Sequence, residues 1–210
     1  MQNRFFQASV FVFFLFLILS VPGKAAVIPD SVYQKCNTAK DAELLTAQEK
    51  AVIFYINVAR CYPKYFLEEL IIPYADSAQT NKKTKYYKTL LSTLDTCKAR
   101  EPLTFNESIY PLANKHARDM GKTGKTGHSS SKGETFEERT KDFPGVRENC
   151  SYGYDNAFDI VYQLMLDENV PSLGHRENIL NARYASAAVS IYKHKKWKWN
   201  CVIDFRVNVF

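Results

Sequence analysis

From Trp197 to Val209 every second residue is apolar: Trp197, Trp199, Cys201, Ile203, Phe205, Val207 and Val209 alternate with mostly polar partners. A period of two sustained over that length puts one face of a strand against a core. Val189 and Ile191 lie on an arm before it, and His194-Lys195-Lys196 supplies the turn, so the chain ends in an antiparallel hairpin. That hairpin needs cover, and the residues before it must provide it.

They read as helices. Thr46-Ala47-Gln48-Glu49 is a capping box, and Val52, Ile53, Ile56 and Ala59 then share one face. Pro63 kinks or ends that helix, and Phe66, Leu67, Leu70 and Ile71 continue an apolar face as far as Pro73. Residues 84–97 form another amphipathic helix with Tyr87, Leu90, Leu91 and Leu94 inward. Asn106 caps a helix from Glu107 to about Lys122, with Leu112, His116 and Met120 on its face. Gly121 to Gly133 is rich in Gly, Ser, Thr and Lys and marks a loop. Thr135-Phe136-Glu137-Glu138 is a second capping box. A helix follows from about Asn156 to Glu168, and a short one begins near His175. Helices first and an antiparallel hairpin last predict an α+β layered domain.

The N-terminus carries an n/h/c pattern. Arg4 is followed by the apolar run Phe11 to Leu19, then by the breakers Ser20, Pro22 and Gly23, and Gly23-Lys24-Ala25 fits a small-x-small cleavage site. The apolar core is too short to span a bilayer, which takes about 20 residues. The expected organisation is a signal peptide over 1–25, a lead-in over 26–45 and one domain over 46–210. The mature protein, beginning near Ala26, would be secreted or periplasmic, with no integral membrane segment. The net charge is +6, and Arg4 and Lys24 would leave with the signal to give +4. The clusters Lys82, Lys83, Lys85 and Lys193, Lys195, Lys196, Lys198 read as solvated faces; with no docking element for base edges, a nucleic-acid partner is not expected. Five cysteines, at 36, 61, 97, 150 and 201, should mostly pair in an oxidising compartment, and no C-x-x-C spacing suggests a zinc ribbon.

Three segments carry chemistry: Gly127-His128-Ser129, Arg147-Glu148-Asn149-Cys150, and Gly174-His175-Arg176-Glu177-Asn178-Ile179-Leu180 with Asp167 and Glu168 before it. Each sets His or a carboxylate beside a junction, where side chains reach a shared cleft. Together with Asn57-x-x-Arg60 and Ala113-x-x-His116-Ala117-x-Asp119-Met120, in this order, they resemble the CAP superfamily (cysteine-rich secretory proteins, antigen 5, pathogenesis-related proteins) in its bacterial, SCP-domain form. The chain departs from its pattern at Arg147, where a Gly precedes Glu-Asn, and at Asp167, where Glu is usual. The resemblance implies a three-layer α-β-α sandwich with a central antiparallel sheet and a large cleft. It implies that His128, Glu148, Asp167 and His175 line that cleft, and that His128, His175 and Glu148 can hold zinc or another divalent cation. It also implies that the Glu148-Asn149 segment runs close to the sheet, so that with Cys201 on the inward face of the last strand a Cys150–Cys201 disulfide is expected; a second, helix-helix bridge is expected between Cys61 and Cys97.

The residues leave two readings of the cluster open. One is a metal site that polarises a carbonyl or activates water; the other is a wall of mutually hydrogen-bonded side chains. His116 reads as a satisfied core histidine, His194 as an exposed turn residue, Glu138 as a capping side chain, and Asn149 and Asn178 as turn and cap formers. Ser129, Ser130 and Ser131 lack a G-x-S-x-G elbow, against a serine hydrolase. The expected function is a secreted module binding a metal or a small-molecule, lipid, peptide or glycan ligand. The alternatives are a metal-dependent hydrolase with Glu148 as general base, and a surface interaction protein with a vestigial cleft. The resemblance favours a binding module over an enzyme, because many of the family have no established catalytic activity.

Overall fold

A computed structural model describes residues 27–207, so the expected signal peptide lies outside the described residues. In chain order the helices are α1 (Asp30–Cys36), α2 (Ala47–Cys61), α3 (Pro63–Tyr65), α4 (Ile72–Ser77), α5 (Lys85–Thr96), α6 (Tyr110–Thr123), α7 (Phe136–Arg139), α8 (Ala157–Leu166) and α9 (Gly174–Leu180). The strands are β1 (Thr104–Phe105), β2 (Arg147–Tyr152), β3 (Tyr184–His194) and β4 (Lys198–Val207). They form one sheet in the order β1-β3-β4-β2, antiparallel along β3-β4-β2, with the two-residue β1 parallel to β3 at the edge. The terminal hairpin is therefore the centre of the sheet.

Helices cover both faces, giving an α-β-α sandwich. On one face α2 and α8 pack together, and their apolar stripes join the inward side of the hairpin: Val52, Ile56, Ile160, Val161, Val189, Cys201, Ile203 and Phe205 are all fully buried. On the other, α6 lies across β3 and β4 over a smaller cluster that includes Ile109, Ala113, Ala117, Val146, Ala188 and Val202. No described helix is long and apolar enough to cross a membrane.

Local chemistry explains the element ends. Thr46 Oγ1 accepts from Glu49 N (3.3 Å) while a Glu49 carboxylate oxygen accepts from Thr46 N (2.8 Å), closing the capping box. The other Glu49 oxygen accepts from Ile191 N (2.8 Å), so the same cap ties α2 to β3. Pro63 stands in the first turn of α3, where a missing N–H is harmless. The helical path then runs through wide π-type turns at Phe66–Ile71 and past Pro73 into α4, further than expected. Pro73 has no N–H for a carbonyl one turn back, and widening the preceding turns accommodates that defect.

Two further expectations need correction. Gly121 lies within α6 rather than opening the loop; the helix ends at Gly124, a left-handed cap at φ 74°. Gly121 is where α6 presses on the hairpin, since a Cβ there would sit 2.3 Å from the Lys193 carbonyl oxygen. The expected Cys150–Cys201 bond also needs correction. Cys150 stands opposite Val202 and Ser151 opposite Cys201, so Cys150 and Cys201 point to opposite faces of the sheet and cannot be bridged. Cys97 Sγ donates to the Lys98 carbonyl (3.3 Å).

Candidate functional site

The edge strand β2 positions the first half of the site. Glu148 and Cys150 face the α6 side, and Asn149 and Ser151 face the other. Glu148 is 6 % exposed, so its charge must be compensated by neighbours. Arg139, the last residue of the short helix capped by Thr135, does this with a two-pronged ion pair: Nη1 donates to Oε1 (3.2 Å) and Nη2 to Oε2 (2.9 Å). Nη1 also donates to the His128 carbonyl (2.5 Å), anchoring the loop. His128 Nδ1 meets Glu148 Oε1 at 3.0 Å. Burial alone would raise the Glu148 pKa, but the bonds from His128 and Arg139 outweigh it and hold the carboxyl below its usual range.

His116 is the buried neighbour. Its Nε2 lies 2.9 Å from the Gly127 carbonyl oxygen and 3.8 Å from Glu148 Oε1, while Nδ1 has no partner. Burial lowers its pKa, which favours the neutral ring with Nε2–H donating to Gly127. The core reading of His116 is thus incomplete, because one face of the ring belongs to the Glu148 cluster. Cys150 Sγ lies 3.7 Å from Glu148 Oε1 and 3.8 Å from His128 Nδ1, and burial pushes its thiol pKa well up. Directly across the sheet from Glu148 stands Asp204, fully buried, with neither carboxylate oxygen hydrogen-bonded. Burial, reinforced by the Glu148 charge, pushes Asp204 well above its usual range, so it retains a proton where an exposed Asp would not.

The second half lies beyond the β2 edge. α8 stops at Leu166, and Asp167 is its left-handed cap at φ 57° rather than a helical residue. Asp167 is 2 % exposed; Oδ1 meets His175 Nδ1 at 2.7 Å and Oδ2 accepts from Arg176 N at 3.0 Å. Asn149 joins the halves: its amide donates to the His175 carbonyl (2.9 Å) and its oxygen accepts from Asn178 (2.8 Å). Asn149 and Asn178 therefore clamp β2 to α9. The four expected residues thus form two pairs, His128–Glu148 and Asp167–His175. A cavity of about 500 Å³ opens beside the second pair, between Tyr74, Thr80, Tyr154, Tyr162 and Gln163. Cys150, Asp167 and His175 line it; His128 and Glu148 do not.

His116, Glu148 and Cys150 offer ligand-type atoms within 4.8 Å of one another, a group that could hold a metal ion. The donor set expected from the resemblance fits a divalent cation poorly in this arrangement. Both Glu148 oxygens are engaged by a guanidinium, and both Asp167 oxygens are engaged by His175 and Arg176. Sequence reasoning missed Arg139 and Asp204. Asp204 lies on the polar side of the alternating terminal strand, but its place opposite Glu148 depends on the β2–β4 register, which no local pattern fixes. His194 also needs correction: it is 3 % exposed, its Nδ1 accepts from Lys196 N (3.2 Å) and Trp197 N (3.0 Å), and it thereby builds the hairpin turn.

A sequence profile of the cysteine-rich secretory protein family (CAP) matches residues 55–205. No curated protein matches the sequence. Among solved structures, an extracellular SCP-domain protein from Bacillus anthracis is 18% identical over 58% of this chain and 40% of its own, at TM-score 0.43. An outer surface protein from Borrelia burgdorferi is 18% identical over 59% of this chain and 90% of its own, at TM-score 0.43. A cysteine-rich secretory protein from Staphylococcus aureus is 15% identical over 58% of this chain and 36% of its own, at TM-score 0.37. The chain thus spans well under half the length of the Bacillus and Staphylococcus proteins.

Proposed function

The chain belongs to the cysteine-rich secretory protein (CAP) family, and from that premise we propose that it is an exported binding module, not a hydrolase, whose ligand enters the cavity beside Asp167 and His175. The observation that carries this reading is the two-pronged Arg139–Glu148 ion pair. A general base for neutral pH needs a raised pKa; Glu148 is held in the opposite direction. Arg139 supplies the positive charge that a divalent cation would bring, and a cation at Glu148 would have to displace it. The cavity, of a size usual for small ligands, is walled by tyrosines, Thr80 and Gln163. Those groups suit a ligand with hydroxyls or amides, such as a glycan or peptide, better than an acyl chain.

Calorimetric titration with zinc tests the reading. The wild type should show no saturable binding, whereas Arg139→Gln, which frees Glu148 beside His116, His128 and Cys150, should gain it. Saturable wild-type binding that His128→Ala and His175→Ala each abolish would replace this reading with a metal site on the expected residues.

A further inference from the structure

We infer that Cys36 and Cys61 are a disulfide-forming pair that staples α1 to α2. The two helices lie against each other, and their last residues are these two cysteines. Two contacts bracket the pair. Asn57 Nδ2, one turn before Cys61, donates to the Cys36 carbonyl at 3.0 Å. Lys35, just before Cys36, sets its ammonium 5.7 Å from the ring centroid of Tyr62, just after Cys61. Residues four apart share a helix face, so Asn57 and Cys61 both address the end of α1. Between the brackets the two thiols stand close enough to perturb each other's titration, and both are buried, at 0 % and 4 % exposure. Cys97 is the competing partner, but its sulfur is turned to its own Lys98 carbonyl.

The pair is also chemically asymmetric. The neighbouring Cys36 thiol lowers the Cys61 pKa, burial opposes this, and Lys35 and Arg60 add to the lowering. The Cys61 thiol and burial together raise Cys36. Cys61, the less deeply buried of the two, is the thiol that meets an oxidant first. It displaces one thiolate from the disulfide of an oxidant, glutathione disulfide or a protein disulfide, to give a mixed disulfide. Cys36, losing its proton, then attacks the Cys61 sulfur and expels the second thiolate. Two S–H bonds are lost and one S–S bond forms; two electrons and two protons pass to the oxidant, which leaves as two thiols.

Trypsin separates the candidates, because Cys36 falls in peptide 36–40, Cys61 in 61–64 and Cys97 in 89–98. The purified chain is equilibrated with glutathione disulfide, alkylated and mapped without reduction; protein recovered from the exporting cell is mapped in parallel. The expected result is peptide 36–40 linked to 61–64, with the cysteines at 97, 150 and 201 alkylated. Reduction should lower the wild-type Tm by roughly 7–14 °C, the size expected for a loop of this length in a domain of this size. It should do the same in Cys97→Ser and leave the Tm of Cys36→Ser unchanged. Linkage of 61–64 to 89–98, or alkylation of all five cysteines after equilibration, overturns the pairing. A bond that forms with glutathione but is missing from the cell-derived protein keeps the pairing and counts against export to an oxidising compartment.

Discussion

On α2 and α9 the buried cations Arg60 and Arg176 turn their guanidinium groups mainly to backbone carbonyls. Arg60 donates to the carbonyls of Glu101, Ile179, Asn181 and Tyr184 at 2.8–3.1 Å, and Arg176 to those of Met165, Leu166 and Tyr86 at 2.7–3.1 Å. Beside α6, Arg139 is turned instead to Glu148, among two histidines, a thiol and a second carboxyl. The first arrangement fixes loops to a large apolar core through guanidinium partners that do not titrate. The second surrounds a carboxylate with groups whose charge changes with pH or with a ligand. A buried Arg alone does not mark a site; the difference lies in whether its partner can titrate.

The largest effect should come from the carbonyl-bound side. Burial lowers the Arg60 pKa to about 10, still charged at neutral pH. Arg60→Met removes that charge but orphans four carbonyls, and should cost about 3–5 kcal/mol, since each buried acceptor left bare costs about 1–3 kcal/mol and some recover water. Urea denaturation measures it; a loss below about 1 kcal/mol would mean that these carbonyls do not depend on the guanidinium. Next in size is Gly121→Ala. Its Cβ would meet the Lys193 carbonyl at 2.3 Å and the Tyr192 ring at 2.6 Å, so α6 must lift from β3, at about 1–3 kcal/mol. An unchanged urea midpoint would show that the seat of α6 is loose.

Asp204→Asn probes the titratable side. A carboxyl whose folded pKa is raised binds more protons folded than unfolded, so its contribution to stability falls as pH rises above the unfolded value. Glu148, held low, works in the other direction, and its contribution is lost only as pH falls below the usual carboxylate range. Asn keeps the shape of the protonated Asp204 without the slope. The stability of the variant relative to wild type should therefore increase from pH 4.5 to pH 7, by at most about 1.4 kcal/mol per pH unit. A constant gap would mean that Asp204 is ionised when folded.

Much of this was legible in the chain because local rules decided it. Thr46-x-x-Glu49 and Thr135-x-x-Glu138 cap helices as their spacing requires, and the period-two run from Trp197 became the central hairpin. What was not legible depended on register. The impossibility of a Cys150–Cys201 bond follows from Cys150 standing opposite Val202, and Asp204 reaches Glu148 for the same reason; no local pattern fixes which residues of two distant strands meet. Arg139 is not legible because the capping box accounts for its helix without fixing where the last side chain turns. His194 was assigned to solvent by its lysine neighbours, yet a tight turn needed an acceptor for two backbone N–H groups and took its ring nitrogen.

The smallest effect should belong to the histidine that looks most like a functional residue. His128 and His116 both approach Glu148 Oε1, at 3.0 Å and 3.8 Å. The His128 side chain is about half exposed (48%) and that of His116 is 1% exposed. Removing His128 costs Glu148 one neighbour, yet both its oxygens keep Arg139, and water can enter where the ring stood. A half-exposed ion pair is worth about 0–1 kcal/mol, so His128→Ala should shift stability by less than about 1 kcal/mol. His116→Ala empties a buried space beside Glu148 and Gly127 and should cost more, about 2 kcal/mol or above by analogy with large-to-small core changes. The pair of measurements separates packing from ion pairing. Equal losses would mean that both rings act through the Glu148 charge alone, and the two sides of the sheet would then differ less than their geometry implies.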